Sequence, residues 1–531
     1  MSKNFDYIII GAGSAGCVLA NRLSEDERNT VLLLEAGAVD RNIFIHIPAG
    51  FFKTISNPNV NWLYTTEAQD SSGNRHISWP RGKVLGGSSS INGHLIVRGQ
   101  REDYDGWRQL GNTGWSFDDV LPYFKRFESS EIGSDEIRGR DGPIYVREPI
   151  EQHPLTQVFM DACEEMGIPR NYDYNGETQE GVGFFQYALA DGRRMSAARG
   201  FLKPARRRHN LQVVTSALTK SIVIEGGRAT GVRFKYNGFE REVCARREVV
   251  LSAGSIASPQ ILERSGIGDG ELLKQYGVEV VHALPGVGEN LQDHYVARLC
   301  CRAKGVETFN ERAHGIRLGW EILRYAFTRR GLLTTAPGNV SASIKVMEGT
   351  ATPDVQLAFA PASYVEGKLG VLDNFPGMTC GVWQHRPASR GSIHLASTDP
   401  EIQPSIRPNY LTDVIDQQTL VGGLRRVREI FAQPAIARYV DLETVPGLDV
   451  QTDDELLDFA RRTGSTVYHP VGTCRMGMDP MAVVDPELKL HGLDGLRVVD
   501  ASVMPLMPSA NTNAAVLMIA EKAADMIQGS N

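Results

Sequence analysis

The sequence predicts a mixed α/β fold (α+β overall) with two domains: a Rossmann-like domain, and a second domain built from a sheet and helices. The apolar run at residues 7–10 leads into a glycine turn and a helical stretch, and a second apolar run, residues 30–34, ends at Glu35. This order is typical of a βαβ unit with an acid at the tip of its second strand. The chain has 531 residues, more than one hydrophobic core usually organises, so a second domain is expected.

Later segments extend the Rossmann-like domain. Apolar and alternating patterns predict strands at residues 210–214, 217–224, 229–236, 248–251 and 496–500, and a C-terminal helix over 513–527. Residues 306–464 mix helical and alternating segments and carry no glycine fingerprint. We therefore predict a discontinuous Rossmann-like domain of residues 1–155, 200–305 and 465–531, and a substrate-binding domain of residues 156–199 and 306–464.

The composition excludes several classes of protein. Apolar residues make up 42% and charged residues 22% of the chain, as in an ordinary globular protein. A net charge of -7 gives no electrostatic reason to bind nucleic acid. The seven cysteines contain no C-x-x-C pair, so neither a disulfide framework nor a metal site is expected. We expect a cytoplasmic protein and leave peripheral attachment to the inner membrane open, because no signal peptide or membrane-spanning run is visible.

The first motif that carries chemistry is Gly11-x-Gly13-x-x-Gly16. Gly11 permits a tight turn, Gly13 lets a pyrophosphate approach the backbone, and Gly16 allows close helix–strand packing. The amides at the start of the following helix bind phosphate oxygens. Glu35 is placed to accept hydrogen bonds from ribose hydroxyls. The motif therefore predicts a dinucleotide site, and by itself it does not separate NAD from FAD.

Two glycine-rich stretches follow. Residues 86–93 combine glycines with three serines, which bring backbone and hydroxyl groups close to an extended ligand. A solvated linker fits less well, because Trp79-Pro80 and an apolar run at residues 95–97 flank the stretch. Residues 254–268 have the pattern of a strand end, a turn and a short helix. For this second stretch, scaffold and ligand binding are equally good interpretations.

Two C-terminal stretches carry polar side chains. Tyr468-His469-Pro470 is the first, and the second runs from Asp500 to a helix that opens at residues 511–513. The partial positive charge of a helix start suits a ring that gains negative charge on reduction. Asn511 has the residue type of a helix cap, whereas Asn513 is harder to explain in that way.

Together these five stretches resemble the glucose–methanol–choline (GMC) oxidoreductase family, over residues 7–527. The resemblance implies FAD as the cofactor. Ile91 stands where some members carry a histidine that attaches FAD covalently, so we expect non-covalent FAD. Ile96 departs from the family, which usually has an aromatic residue or alanine there. Within the family, the pattern is most similar to choline-dehydrogenase-like and aliphatic alcohol dehydrogenases.

The resemblance also assigns cofactor contacts. Those expected to hold the ADP part of FAD are Gly11, Gly13, Ser14, Ala15, Gly16, Glu35, Ala36 and, through the backbone near adenine, Thr219. Those expected to line the flavin are Gly86, Ser88, Asn92 and Gly93. Asp500 and Ala501 are expected near the pyrophosphate and ribityl chain, and Asn511 completes the set. The segment 290–294, which the family carries near its flavin, is interpreted as mainly structural.

The implied reaction is the oxidation of a primary alcohol to the aldehyde, with hydride transfer to flavin N5. His469 is predicted to be the general base and Asn513 to hold the substrate oxygen by a hydrogen bond. A hydroxynitrile lyase that uses FAD only structurally is an open alternative. The electron acceptor is either oxygen or a quinone or carrier. A quaternary ammonium substrate would require an aromatic cage or a carboxylate, and the sequence locates neither.

Overall fold

The computed structural model describes residues 4–365 and 370–529. The strands are β1 Asn4–Ile10, β2 Val31–Leu34, β3 Tyr64–Thr65, β4 Ser78–Trp79, β5 Glu128–Ser130, β6 Ile144–Arg147, β7 Gly181–Phe184, β8 Tyr187–Ala190, β9 Arg193–Arg194, β10 Leu211–Val214, β11 Ala217–Glu225, β12 Arg228–Tyr236, β13 Phe239–Leu251, β14 Ile267–Gly268, β15 His282–Ala283, β16 Tyr295–Ala303, β17 Val340–Ile344, β18 Val355–Ala360, β19 Gly377–Gln384, β20 Ser392–His394, β21 Ser405–Arg407, β22 Val440–Val445, β23 Ser465–Thr466 and β24 Leu496–Val498. The α-helices are α1 Ser14–Leu23, α2 Ile43–His46, α3 Phe51–Thr54, α4 Arg101–Gln109, α5 Phe117–Phe127, α6 Pro154–Glu165, α7 Lys203–Ala205, α8 Gly254–Arg264, α9 Gly270–Gln275, α10 Phe309–Arg312, α11 Gly315–Thr328, α12 Val414–Phe431, α13 Pro434–Ala437, α14 Asp453–Thr463 and α15 Asn513–Gly529.

The first sheet is the Rossmann-like sheet that the sequence predicts. Its order is β10-β2-β1-β13-β12-β11, and β24 pairs with β13. The pairs β10–β2, β2–β1, β1–β13 and β13–β24 are parallel, and the hairpin strands β11 and β12 are antiparallel. Both β2 and nearly all of β1 are buried, which explains their continuous apolar sequences. The mixed α/β fold is thus confirmed.

The parallel strands bring the predicted site residues to one edge. Because the carboxyl ends of parallel strands point the same way, the residues after β1, β2, β13 and β24 lie together. Gly11 follows β1, Glu35 follows β2, and Asp500 follows β24. The helices α1 and α15 begin at this edge and pack against each other, so two helix N-termini face the same space.

The second sheet has the order β22-β16-β19-β18-β17-β7, with β23 paired to β16, and each of these pairs is antiparallel. Residues up to 305 are predicted from the sequence to belong to the Rossmann-like domain. The structure corrects this for β16, which pairs with β19 on one side and with β22 and β23 on the other. Its apolar residues Ala297, Leu299 and Cys301 join the hydrophobic core that contains α12, and this packing fixes β16 in the second sheet.

Candidate active site

A cavity of about 720 Å³ lies between the edge of the first sheet and one face of the second. Most of the predicted site residues line it: Gly11, Gly13, Ser14, Ala15, Glu35, Ala36, Ser88, Asn92, Gly93, Thr219, His469, Asp500, Ala501, Asn511 and Asn513. Gly16 and Gly86 lie outside this wall and shape the turns behind it. The structure therefore brings residues that are 500 positions apart in the chain to one continuous space.

The first glycine turn leaves no room for side chains at two positions. A Cβ on Gly16 would lie 1.9 Å from the Gly11 carbonyl oxygen, and Gly11 itself has φ +97°. A Cβ on Gly13 would meet nothing within 4 Å. Gly16 therefore serves the packing of α1 against the turn, whereas the space at Gly13 is open towards the cavity.

The second glycine turn packs directly on the first. The Gly86 amide donates a hydrogen bond to the Ala12 carbonyl at 2.8 Å, and a Cβ on Gly87 would lie 2.7 Å from the Gly13 Cα. Beyond this turn, Asn92 Oδ1 accepts a hydrogen bond from the buried Arg194 at 2.8 Å. The two turns together form a narrow cradle of bare backbone.

Two buried carboxylates anchor the loops of this cradle. Glu35 accepts hydrogen bonds from the amides of Ala12 at 2.9 Å and Gly37 at 2.8 Å. Burial raises the pKa of Glu35 from 4.5 to about 7, against the effect of these two hydrogen bonds. Asp500 accepts from the Gly254 amide at 2.8 Å and the Ser258 hydroxyl at 2.6 Å, and burial likewise raises its pKa.

These residues fit FAD. The open backbone at Gly13 stands at the N-terminus of α1, where a pyrophosphate binds favourably. Glu35, Thr219, Asn92 and His469 all line this one cavity, so the space has room for an extended ligand between them.

His469 is held in place through its backbone. Its amide donates to Asp293 Oδ1 at 2.8 Å, and Asp293 Oδ2 accepts from the hydroxyls of Thr466, at 2.6 Å, and Tyr410. The preceding residue, Tyr468, has φ +70°, a left-handed conformation that is strained for a tyrosine. The His469 ring is therefore fixed by a buried network at the wall of the cavity.

The hydrogen bonds of the His469 ring determine its tautomer. His294 Nε2 lies 2.8 Å from the His385 carbonyl oxygen, which only accepts, so this nitrogen carries the proton. In a neutral His294 the Nδ1 is then an acceptor, and it lies 3.0 Å from His469 Nδ1. His469 must therefore donate from Nδ1, which leaves a lone pair on Nε2.

Burial keeps both rings neutral. Desolvation lowers the pKa of His294 to about 4 and that of His469 well below 6.5. The positive charge of the neighbouring Arg81 lowers the pKa of His469 further. A neutral imidazole with an available Nε2 lone pair is the form that accepts a proton.

The structure places Asn511, rather than Asn513, beside this lone pair. Asn511 Nδ2 lies 3.1 Å from His469 Nε2. Asn513 Oδ1 instead accepts a hydrogen bond from the Ser14 hydroxyl at 2.6 Å, which joins the starts of α15 and α1. The role predicted for Asn513 at the substrate oxygen is therefore better filled by Asn511, because Asn513 is committed to linking two helices.

The hydrogen bonds that join Asp293 and His294 to His469 were not predicted from the sequence. The segment 290–294 was interpreted as mainly structural, yet the structure joins both residues to His469 by hydrogen bonds. The two buried polar residues in succession, Asp293-His294, were the signal available in the sequence. His94, close to the flavin-lining stretch in sequence, is buried against the Tyr187 ring at a centroid distance of 5.1 Å.

The fold and this cavity define a dinucleotide-dependent oxidoreductase with a buried histidine, His469, in the cavity wall. Residues 5–296 and 387–520 match the N-terminal and C-terminal parts of the GMC oxidoreductase family. The chain is 43% identical over 533 residues to the oxygen-dependent choline dehydrogenase of Sinorhizobium fredii, covering 99% of this chain and 95% of that protein. It is 41% identical to the mitochondrial choline dehydrogenase of Homo sapiens, covering 99% and 90%.

Solved structures of similar proteins share the fold of this chain over nearly its whole length. Pyridoxine 4-oxidase from Mesorbium loti superposes with a TM-score of 0.90 at 32% identity, covering 98% of each chain. Formate oxidase from Aspergillus oryzae gives 0.92 at 26% identity, covering 100% of this chain and 99% of that one. The chain belongs to the GMC oxidoreductase family. It is an FAD-dependent oxidoreductase that acts on a CH–OH donor, and non-covalent binding of FAD is the usual state in this family.

The two glycines of the first turn should respond differently to a methyl group. Gly16→Ala should prevent folding or lower the melting temperature strongly, because the added Cβ collides with the Gly11 carbonyl. Gly13→Ala should leave the melting temperature of the apoprotein unchanged and weaken FAD binding, because its methyl group occupies only ligand space. Thermal melting of the apoproteins and FAD titration by fluorescence test both. Equal melting temperatures for the two variants would contradict this reading of the turn.

Proposed function

We propose that this enzyme oxidises a primary alcohol to the aldehyde, with His469 as the general base. The observation that carries the proposal is the lone pair on His469 Nε2, which the hydrogen bond from Nδ1 to His294 leaves able to accept. In this structure it accepts from Asn511 Nδ2 at the cavity wall, and a substrate hydroxyl would take that place. FAD, when bound, accepts the hydride. His469 Nε2 takes the hydroxyl proton, and the Asn511 amide donates to the substrate oxygen as it gains negative charge.

The remaining residues position these two groups. Asp293 holds the backbone of His469, and His294 fixes the ring orientation and the tautomer. His294 contacts the ring of His469 but does not itself line the cavity, so we regard it as a positioning residue. The relatives give no support to the hydroxynitrile lyase alternative, and the electron acceptor, oxygen or a quinone or carrier, is undecided between the two.

The experiment that tests the proposal follows the flavin colour. Purified enzyme is mixed anaerobically with a panel of primary alcohols, and bleaching of the flavin bands is the expected result. Air is then admitted, and a rapid return of colour assigns oxygen as the acceptor, whereas a slow return assigns a quinone or carrier. Flavin bands that no alcohol bleaches would overturn the proposal.

The two asparagines at the start of α15 provide a matched pair of variants. His469→Ala should lower the rate of flavin reduction by about 100-fold or more, since general-base catalysis typically contributes that much. Asn511→Ala should lower the same rate by about 10-fold or more, because it removes a hydrogen bond to developing charge. Asn513→Ala should leave this rate near that of the wild type and loosen the link between α15 and Ser14. Stopped-flow measurements on FAD-replete variants would decide, and a larger loss in Asn513→Ala than in Asn511→Ala would restore Asn513 as the catalytic partner.

The pH profile of flavin reduction reports on the same base. Because burial lowers the pKa of His469 well below 6.5, the ring should stay neutral as the pH falls through 6.5. The limiting rate should therefore be level from pH 8 to 6.5 and fall only at more acidic pH. Anaerobic stopped-flow measurements at saturating alcohol check this, and an inflection at or above pH 6.5 would contradict it.

The helix α11 presents an apolar face to solvent. Its side chains Ile316, Trp320, Leu323 and Phe327 recur at helical spacing and are 91, 69, 51 and 86% exposed. Arg317 and Arg324 lie on the same helix, are at least partly exposed, and form ion pairs with Glu307 and Glu151. Within the described ranges, no helix is long and apolar enough to cross a membrane. This arrangement is typical of a helix that lies in an anionic membrane surface, and it supports peripheral membrane association.

Vesicle co-sedimentation tests that association. The wild type should sediment with vesicles of phosphatidylglycerol and phosphatidylethanolamine, and Trp320→Glu/Phe327→Glu should remain in the supernatant. Phe239→Glu is the matched control, because Phe239 is equally exposed, at 66%, but lies on the first sheet. A wild type that stays in the supernatant, or a control that behaves as the double variant does, would argue against α11 as a lipid-binding surface.

A further inference from the structure

The substrate end of the cavity is floored by one face of the second sheet. On β16 the alternating residues Val296, Arg298 and Cys300 line the cavity, while the residues between them pack into the core. Their partners on β19 are Trp383, Gly381 and Thr379, which line the cavity as well. Arg298 is therefore the one charged side chain on this floor among the residues that the structure describes.

Arg298 differs from the other arginines of the cavity wall. Arg75 donates to the carbonyls of Arg461 and Gly464, and Arg264 donates to the Lys220 carbonyl. Arg81 Nε and Nη2 are buried without a hydrogen-bond partner. Burial lowers the pKa of Arg81, and the opposite charge of the nearby Asp293 acts against that shift. No hydrogen bond or ion pair links Arg298 to any residue in the described ranges. Arg298 is half-buried, and it lines the cavity.

The carboxylates of the wall do not compensate for this charge. Among the described lining residues, the acidic ones are Glu35 and Asp500. Both lie at the carboxyl edge of the first sheet and accept hydrogen bonds from backbone amides. Among the residues that the structure describes, the substrate end thus carries a cation with no facing anion, which disfavours a quaternary ammonium group and favours an anionic one.

We infer that Arg298 binds a carboxylate on the substrate, so that the enzyme acts on hydroxy acids whose primary alcohol lies at the far end from the acid group. This inference rests on the proposed alcohol oxidation. A carboxylate is the group that a guanidinium fork recognises with two parallel hydrogen bonds. Arg298 also stands near Tyr364 and Tyr468, where its charge acts on the pKa of both phenols, and Tyr468 directly precedes the base.

The spacing of the two ends sets the size of the substrate. His294, which contacts His469, and Arg298 are four residues apart, or about 13 Å along an extended chain. The long Arg298 side chain shortens the gap that a substrate must span. In the reaction, the carbinol C–H bond breaks with its electron pair passing to FAD, the O–H proton passes to His469, and the C=O bond forms. The carboxylate is unchanged, since it serves only to bind.

The test compares substrates that differ only in charge. Anaerobic flavin reduction is measured with ω-hydroxycarboxylates of three to eight carbons, their methyl esters, and choline. The wild-type holoenzyme should reach half-maximal rate at a concentration about 10-fold or more lower for an acid than for its ester, as expected for loss of a charge-assisted pair. Arg298→Gln should remove this preference by raising the half-saturating concentration for the acid, with the limiting rate less affected. Arg298→Lys should retain part of it.

Arg302→Gln provides the matched control, because Arg302 lies on the same strand but is exposed and outside the cavity wall. It should behave as the wild type does. A second readout does not depend on turnover: titration with unreactive hexanoate should perturb the spectrum of the oxidised flavin in the wild type and in Arg302→Gln, and only weakly in Arg298→Gln. Hexanamide should give the same weak response in all three proteins.

The outcomes separate the two proposals. Bleaching by esters or choline as readily as by acids would overturn the role of Arg298 and leave the alcohol oxidation standing. An Arg298-dependent hexanoate response without bleaching by any alcohol would support the carboxylate site and overturn the proposed reaction. Wild-type binding of hexanoate no tighter than that of hexanamide would also overturn the inference.

Discussion

The active site depends on one hydrogen-bonded connection between Asp293-His294 and His469. Asp293 and His294 immediately precede β16 of the second sheet, and His469 follows β23, the short strand that pairs with β16. The pairing brings the two segments together, and the hydrogen bonds to the amide and the ring then fix the base. Asn511 comes from the segment before α15, and α15 packs against α1 of the Rossmann-like domain. The contact between Asn511 and His469 therefore also sets how the second sheet is placed relative to the predicted cofactor site.

Most of the residues predicted to hold the cofactor line one cavity, because the sequence signals that mark them are local. The turn at Gly11–Gly16 and the strand ends before Glu35 and Asp500 are each set by a few neighbouring residues, and parallel pairing gathers them. The assignment of β16 failed for the opposite reason: an apolar strand carries no mark of the sheet it joins. Asn511 and Asn513 could not be told apart either, since their roles depend on partners that lie far away in sequence.

Overall sequence identity to choline dehydrogenases reports on the fold, whereas the charge of the cavity wall reports on the substrate. The identity of 43% covers nearly the whole chain, so it reflects the fold, the cradle and the core, which most residues serve. Substrate choice depends on a few side chains on one sheet face, and a change at one of them alters total identity very little. The cation at Arg298, which has no partner among the described residues, therefore bears more directly on the proposed substrate than the overall identity does.

The same burial that keeps His469 neutral also strengthens the attraction between Arg298 and an anion in the cavity. Burial lowers the pKa of His469 and keeps its ring neutral, because a charged imidazole is costly in a site with little water. An unpaired guanidinium in the same cavity meets the same environment, in which an attraction to an anion is stronger than in water. An anionic group that enters would neutralise this charge at a distance from the reacting carbon. Binding free energy would then orient the carbinol towards His469 Nε2, so the proposed choice of substrate and the proposed base would act together in one cavity.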